Sequence, residues 1–264
     1  MDLRGWDYTG RNIGPELHNQ FRIMAECLAN PAFVNHSTWG NPIQDKLAEK
    51  MKVSSSGAVR TVKKLCDDFG FFVPNALTSR NEINPENFLS QRGKVVFQIA
   101  SLEQGIETST TLSDTQKKKA FSQVQNLYEE AYCDALMNYY FTNSEGKHFC
   151  PLRATLKALN KYGTMDKWEW YLLNTLVRKD DDEKQEAELD RYIKLYRRKE
   201  IEFSMQNVVE KPKGHQYIPQ YFDFAGLVTV IQRPEWSISA STKHETLKNE
   251  ILSDGFLEKL YGGR

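Results

Sequence analysis

Apolar positions along the chain fall into stretches of helical period separated by short breaks. In residues 15–29, Leu17, Phe21, Met24, Ala25 and Leu28 recur at spacings of three and four, and Pro15 suits a first turn. This predicts a helix from about Pro15 to Ala29. A second follows Asn41-Pro42, with Ile43, Leu47 and Met51 turned inward. After a break at Lys52-Val53 a third runs to about Phe69, where Gly70 can end it. "FFV" at 71–73 is strand-like, and "FLSQRGKVVFQIASL" at 88–102 reads as a short strand turning into a helix. From Ser113 to Phe141 a long helical pattern carries Phe121, Val124, Tyr128, Ala131, Ala135 and Tyr139, and Ser113 with Gln116 has the spacing of a capping box.

A second series begins near His148. Leu152, Leu156 and Leu159 mark one helix, and Met165, Trp168, Leu172 and Leu176 mark another. Residues 180–190 carry seven acids and one lysine, while 191–199 carry five bases. This reads as a solvated helix with segregated charge. "QYFDFAGLVTVI" and "WSISAS" predict a helix end and a hairpin around Arg233-Pro234; Thr242 and Glu245 are spaced to cap a last helix with Leu247 and Ile251. Residues 1–14, MDLRGWDYTGRNIG, have no period and read as an extended arm. The predicted fold class is mainly α with small β hairpins. It comprises two winged-helix (helix-turn-helix) subdomains, 15–105 and 148–264, joined by a helical linker at 106–147 and preceded by the arm at 1–14.

Composition narrows the function. With 40% hydrophobic residues the 264-residue chain can bury its own cores. The 35 basic and 35 acidic residues cancel, so a polyanion site has to be a local patch. Cys27, Cys66, Cys133 and Cys150 are far apart, with no Cys-x-x-Cys, which predicts reduced thiols. His148 and Cys150 fall two ligands short of a structural zinc site. The sequence has neither an apolar leader nor an 18-residue apolar stretch, and a soluble cytoplasmic protein is expected.

A local patch does exist. Residues 43–64 hold six bases and two acids, a net of +4. On a helical wheel of 55–69, Ala58, Val62, Leu65 and Phe69 share one side, with Val59 at its margin. Ser56, Gly57, Arg60 and Lys64 face the other way, flanked by Lys63 and Asp67. Counted from Ala48, apolar residues at +3, +5, +10, +14 and +17 fit a helix-turn-helix. Recognition helices enter the major groove with their N-terminal part, where small residues allow close approach and free N–H groups meet phosphate. Ser54, Ser55, Ser56, Arg60, Lys63 and Lys64 are therefore candidate DNA-binding residues, Arg60 as a bidentate partner for guanine. Lys211, Lys213, His215 and Gln216 precede a later helix and form a second candidate element; Arg233 marks a wing tip. Arg4, Arg11 and Asn12 on the arm are expected to reach a neighbouring groove. The bland alternative is a solvated basic face on a protein-interaction module.

A metal-dependent nuclease needs an acid followed by acid-x-Lys on paired strands. The two acid-x-Lys triplets here are Glu145-Gly146-Lys147, with Asp134 upstream, and Asp182-Glu183-Lys184. Asp134 falls in a helical pattern and Asp182 in the acidic run, so no catalytic residue is assigned. Neither a phosphate-binding Gly-x-x-x-x-Gly-Lys loop nor a Gly-x-Ser-x-Gly elbow occurs.

"IQDKLAEKMKVSSSGAVRTVKKLCDDFGF" resembles the helix-turn-helix of winged-helix DNA-binding proteins. The succession "FLSQRGKVVFQIA", "NLYEEAYCDALMNYYF", "CPLRATLKALNKYGTMDKWEW" and "YFDFAGLVTVI…WSISAS…ETLKNEIL" resembles the recognition portions of type IIS restriction endonucleases of the BpuJI and FokI kind. The resemblance implies a monomer that binds a short asymmetric site in double-stranded DNA and no membrane partner. It implies no cofactor for this chain; Mg²⁺ would serve a separate nuclease domain, absent here. The chain ends at Gly262-Gly263-Arg264, where a linker or a protease cut is expected. The alternative is a winged-helix transcription regulator or protein-interaction adaptor.

Overall fold

The structure, a computed structural model, describes the chain apart from residues 7–9, 143–145, 210–212 and 263–264 and the side chains of 213–216. It is mainly helical, with small antiparallel sheets. Two compact units form, one of Arg11–Ala135 and one of Met1–Gly10 with Leu136–Arg264.

The first unit contains α1 (Pro15–Leu28), α2 (Pro31–Val34), α3 (Asn41–Met51), α4 (Ser56–Asp68), α5 (Gln91–Thr108) and most of α6 (Asp114–Leu136). Pro15, Pro31 and Pro42 stand in the first turns of α1 to α3, where a missing N–H is not needed. Lys52 ends α3 in the left-handed region at φ 54°, and the Val53 N–H closes back onto the Ala48 carbonyl at 3.0 Å. That reversal sets α4 across α3. Phe21, Phe69, Phe71 and Tyr132 meet at centroid distances between 5.3 and 5.7 Å around the core centre.

Phe72 bridges Leu89 antiparallel, and Thr38 bridges Glu82, with a long loop between 73 and 88. The Ser90 hydroxyl then accepts the Gly93 N–H and starts α5. The capping box at Ser113 forms as expected, with Gln116 N–H to Ser113 Oγ at 3.3 Å and Ser113 N–H to Gln116 Oε1 at 2.9 Å. Within the segment expected to be a linker, 106–147, Val124, Tyr128, Ala131 and Tyr132 of α6 are buried within the first unit.

The second unit opens with a two-stranded ribbon, β1 (Phe141–Thr142) and β2 (His148–Phe149). There follow α7 (Pro151–Tyr162), β3 (Met165–Asp166), α8 (Lys167–Leu176), α9 (Glu183–Arg197), a 3-10 turn at Met205–Asn207, and α10 (Lys213–Phe224). β4 (Val228–Ile231), β5 (Ser237–Ala240), α11 (Glu245–Leu252) and α12 (Phe256–Gly262) complete it. The three-stranded antiparallel sheet has the order β3-β5-β4, with Ile238 opposite both Met165 and Val230. Met165 is thus a strand residue and not the start of a helix. Helix α8 starts after it with a reciprocal cap between Asp166 and Glu169. Its buried face is Trp170, Tyr171, Leu172 and Leu173, whereas Trp168 is half-buried beneath Lys167.

Two local interactions fix the surrounding helices. Arg197 of α9 reaches the buried Glu169 at 2.5 Å, and the Tyr196 hydroxyl donates to Asp166 at 2.8 Å, tying α9 to the start of α8. Buried Arg153 of α7 donates to the Ile251 and Ser253 carbonyls and pairs with Asp181, so a cation meets the C-terminal end of α11. Thr242 makes no cap: His244, in the left-handed region at φ 53°, occupies that position.

The segment 1–14, read from the sequence as an extended arm, contains buried residues. Leu3 and Trp6 are buried, and Leu3 forms a parallel bridge with Val208. The Trp6 indole N–H donates to the Val177 carbonyl at 2.7 Å, and its ring packs edge-on against Phe149 and Trp170. These partners lie well over a hundred residues downstream, so no local period announces them.

Candidate nucleic-acid interface

From Asp45 to Asp67 every exposed residue of α3, the turn and α4 is polar. The turn residues Ser54 and Ser55 are exposed, and Ser55 precedes α4 in extended conformation without spending its hydroxyl on a cap. The first N–H groups of α4 therefore point outward beside free hydroxyls. Ser56 and Gly57 are half-buried. The buried stripe of α4 is Val59, Val62, Leu65, Cys66 and Phe69. Ala58 is half-buried, so the stripe is turned towards Val59 and Cys66 relative to the wheel. The cause is packing from two sides, since both α1 and α3 contact α4.

Arg60 is exposed on the opposite face. Side chains of a helix lean towards its N-terminus, and the Arg60 guanidinium follows that rule. A Cβ built on Gly57 would lie 3.7 Å from its Nη2 and 3.3 Å from the Ser55 Oγ. Its Nη1 donates to Gln44 Oε1 of α3 at 3.1 Å. Ser55, Gly57, Arg60 and Gln44 thus surround the first turn of α4. Gln44 is 4% exposed. The sequence signal for it was a polar residue inside the inward stripe of Ile43, Leu47 and Met51.

The flanking lysines are partnered. Lys63 pairs with Asp67 at 2.5 Å and Lys64 with Asp68 at 2.8 Å, each one turn on. Including those two acids lowers the net charge of the segment from +4 to +2. The exposed Lys46, Lys50 and Lys52 of α3 and the turn keep the surface basic.

The remaining candidates divide between the two units. Arg4 is exposed in the second unit, its backbone N–H and carbonyl both bonded to the Thr175 hydroxyl. Arg11, in the first unit, is held by Glu16 and Gln20, and Asn12 beside it is exposed. Arg233 is exposed at the tip between β4 and β5. Lys211 lies outside the described residues. Lys213, His215 and Gln216 occupy the first turn of α10, and their side chains lie outside the description too.

Among the described residues the sequence triplets assemble no nuclease centre. Asp182 spends its carboxylate on the first N–H groups of α9 and on Lys179. Asp134 pairs with Arg92, and Glu145 lies outside the described residues. Neither Asp134 nor Asp182 fits a Mg²⁺ site of the nuclease type. Among the described residues no group of three or more His, Cys, Asp or Glu is placed to hold a metal ion. Burial pushes the Cys133 and Cys150 thiols up to about 12 and Cys66 well above its usual value, which removes the thiolate a nucleophile needs. Among the described residues no helix is long and apolar enough to cross a membrane. Compared with known protein families and with curated proteins, the chain matches none.

Proposed function

We propose that the chain binds double-stranded DNA at a short asymmetric site, through two winged-helix units, as the recognition module of a type IIS restriction endonuclease whose nuclease domain is separate. The observation that carries the reading is the α4 face. Exposed Ser54, Ser55 and Arg60 surround a free helix start, opposite a fully buried stripe. That is the surface a major groove accepts, with hydroxyls and N–H groups for phosphate and a guanidinium for a guanine edge.

The connectivity of the second unit supports the winged-helix part. Helix α7, strand β3, helices α8 and α10, then β4 and β5 follow the winged-helix order, with α9 as an insertion. The sheet order β3-β5-β4, first strand beside third, is the winged-helix order as well. In this reading α10 is the second recognition helix and Arg233 sits on its wing. In this reading the isolated bridges Thr38–Glu82 and Phe72–Leu89 of the first unit would stand for a reduced form of that sheet.

A second reading, a protein-interaction adaptor, is favoured by a groove of about 810 Å³ beside α5 and α6, where the side chains of Val95, Leu102 and Leu127 are exposed. Salt separates the two. Binding to a duplex should weaken steeply between low and physiological salt, with a log–log slope of about −0.9 per phosphate neutralised. Fluorescence anisotropy with a labelled duplex reads this slope, and a flat response would remove the DNA reading.

A further inference from the structure

We propose that Gln44 is a positioning residue that fixes the Arg60 guanidinium for base recognition. The proposal rests on the DNA-binding reading above and adds a role for a residue that cannot itself reach the duplex. Gln44 is buried on α3, and Arg60 is exposed on α4. The contact between them, Arg60 Nη1 to Gln44 Oε1 at 3.1 Å, joins the two helices of the helix-turn-helix.

The chemistry of the pair sets its direction. A guanidinium has donors and no acceptor, so the amide must present its oxygen to it. An amide oxygen in a buried setting is costly to leave without a donor, so Gln44 favours the rotamer of Arg60 that serves it. One Nη group is thereby engaged. Nη2, the other end of the planar fork, lies towards Gly57, 3.7 Å from where a Cβ at that position would sit. Guanine O6 and N7 require two donors in a fixed plane. An unrestrained arginine loses much rotamer freedom when it adopts that plane; a restrained one loses less. Gln44 thus acts on discrimination between bases and leaves the phosphate contacts alone.

A lysine at position 60 would keep the charge but lose the plane. The acid at Asp45, the next residue, is exposed on another face of α3 and does not replace the amide.

The test uses the full chain and a duplex recovered by the wild type from a randomised pool, together with single-base variants of that duplex. Arg60→Ala should abolish discrimination at one base position. Gln44→Leu, similar in size without the oxygen, should lower discrimination at that same position about tenfold and leave the other positions and the salt slope unchanged. In the Arg60→Ala background Gln44→Leu should have no further effect. Gln44→Glu, which keeps an acceptor, should retain discrimination, and it serves as the probe if the leucine variant does not fold. Equal loss at all positions in Gln44→Leu, additivity in the double variant, or lost discrimination in a folded Gln44→Glu would each overturn the positioning role. If Arg60→Ala itself leaves every position unchanged, base readout by Arg60 falls and the role of Gln44 falls with it; an Arg60 effect without a Gln44 effect removes the positioning role alone.

Discussion

Replacing Trp6 by alanine is expected to destabilise the unit of Met1–Gly10 and Leu136–Arg264 by about 3–5 kcal/mol. Trp6 is 2% exposed. Its ring centroid lies 5.3 Å from Phe149 and 5.4 Å from Trp170, both edge-on, so truncation removes two aromatic contacts and leaves a cavity. It also leaves the Val177 carbonyl without the indole N–H. Trp6→Phe keeps part of the volume and loses the hydrogen bond, so its cost should be intermediate. Urea denaturation followed by circular dichroism measures both. A midpoint unchanged in Trp6→Ala would mean that the N-terminal segment is dispensable for folding, as a loosely attached arm would be.

Gly93→Ala is the second large effect, on the order of 3 kcal/mol, in the unit of Arg11–Ala135. A Cβ at position 93 would sit 1.9 Å from the Phe71 carbonyl oxygen and 2.8 Å from its carbon. Those atoms are backbone, and the same carbonyl accepts the Ser90 N–H, so neither side can yield locally. Either α5 moves away from the strand-like segment or the Ser90 cap opens. Phe71 also packs on Phe21, Phe69 and Tyr132, so a shift there disturbs the core centre. Gly57→Ala is the matched control. Its Cβ would meet the Ser55 hydroxyl at 3.3 Å and the Arg60 guanidinium at 3.7 Å, both ends of flexible side chains, and a helix prefers alanine. Thermal melts should therefore separate the two glycines clearly. Equal midpoints for Gly93→Ala and wild type would contradict the close approach of α5 to Phe71.

How much of this was legible in the sequence depends on where each partner lies. Helices α1, α3 and α4 are local objects: a proline in the first turn of two of them, a 3.6-residue stripe, and a left-handed exit at Lys52. Their ends follow the sequence reading within a residue or so. The hairpin β4–β5 is equally local, with alternation on either side of a turn. What the pattern missed is set by distant contacts. The Met165–Asp166 strand is two residues long and exists because Ser237 and Ile238 pair with it. Trp6 has its partners beyond residue 148, and a segment without period then looks like an arm. The stripe of α4 is displaced from the wheel because two helices cover it from different sides.

The candidate site was legible in part for the same reason. The small polar start of α4 and the exposure of Arg60 follow from periodicity alone. The carboxylates that partner Lys63 and Lys64 were in plain view one turn on, at Asp67 and Asp68, and belong in any charge count for that face. The hydrogen bond from Arg60 to Gln44 crosses between helices and needs their packing angle, which the sequence does not carry.

Selection from a pool of randomised duplexes, with sequencing of the bound fraction after several rounds, reads sequence-specific binding by this chain. A short, non-palindromic consensus bound by a monomer should be enriched, with at least one guanine whose identity depends on Arg60. A bound fraction as random as the input pool would contradict sequence-specific recognition by this chain. A palindrome bound by a dimer would contradict the asymmetric recognition module and favour a symmetric regulator.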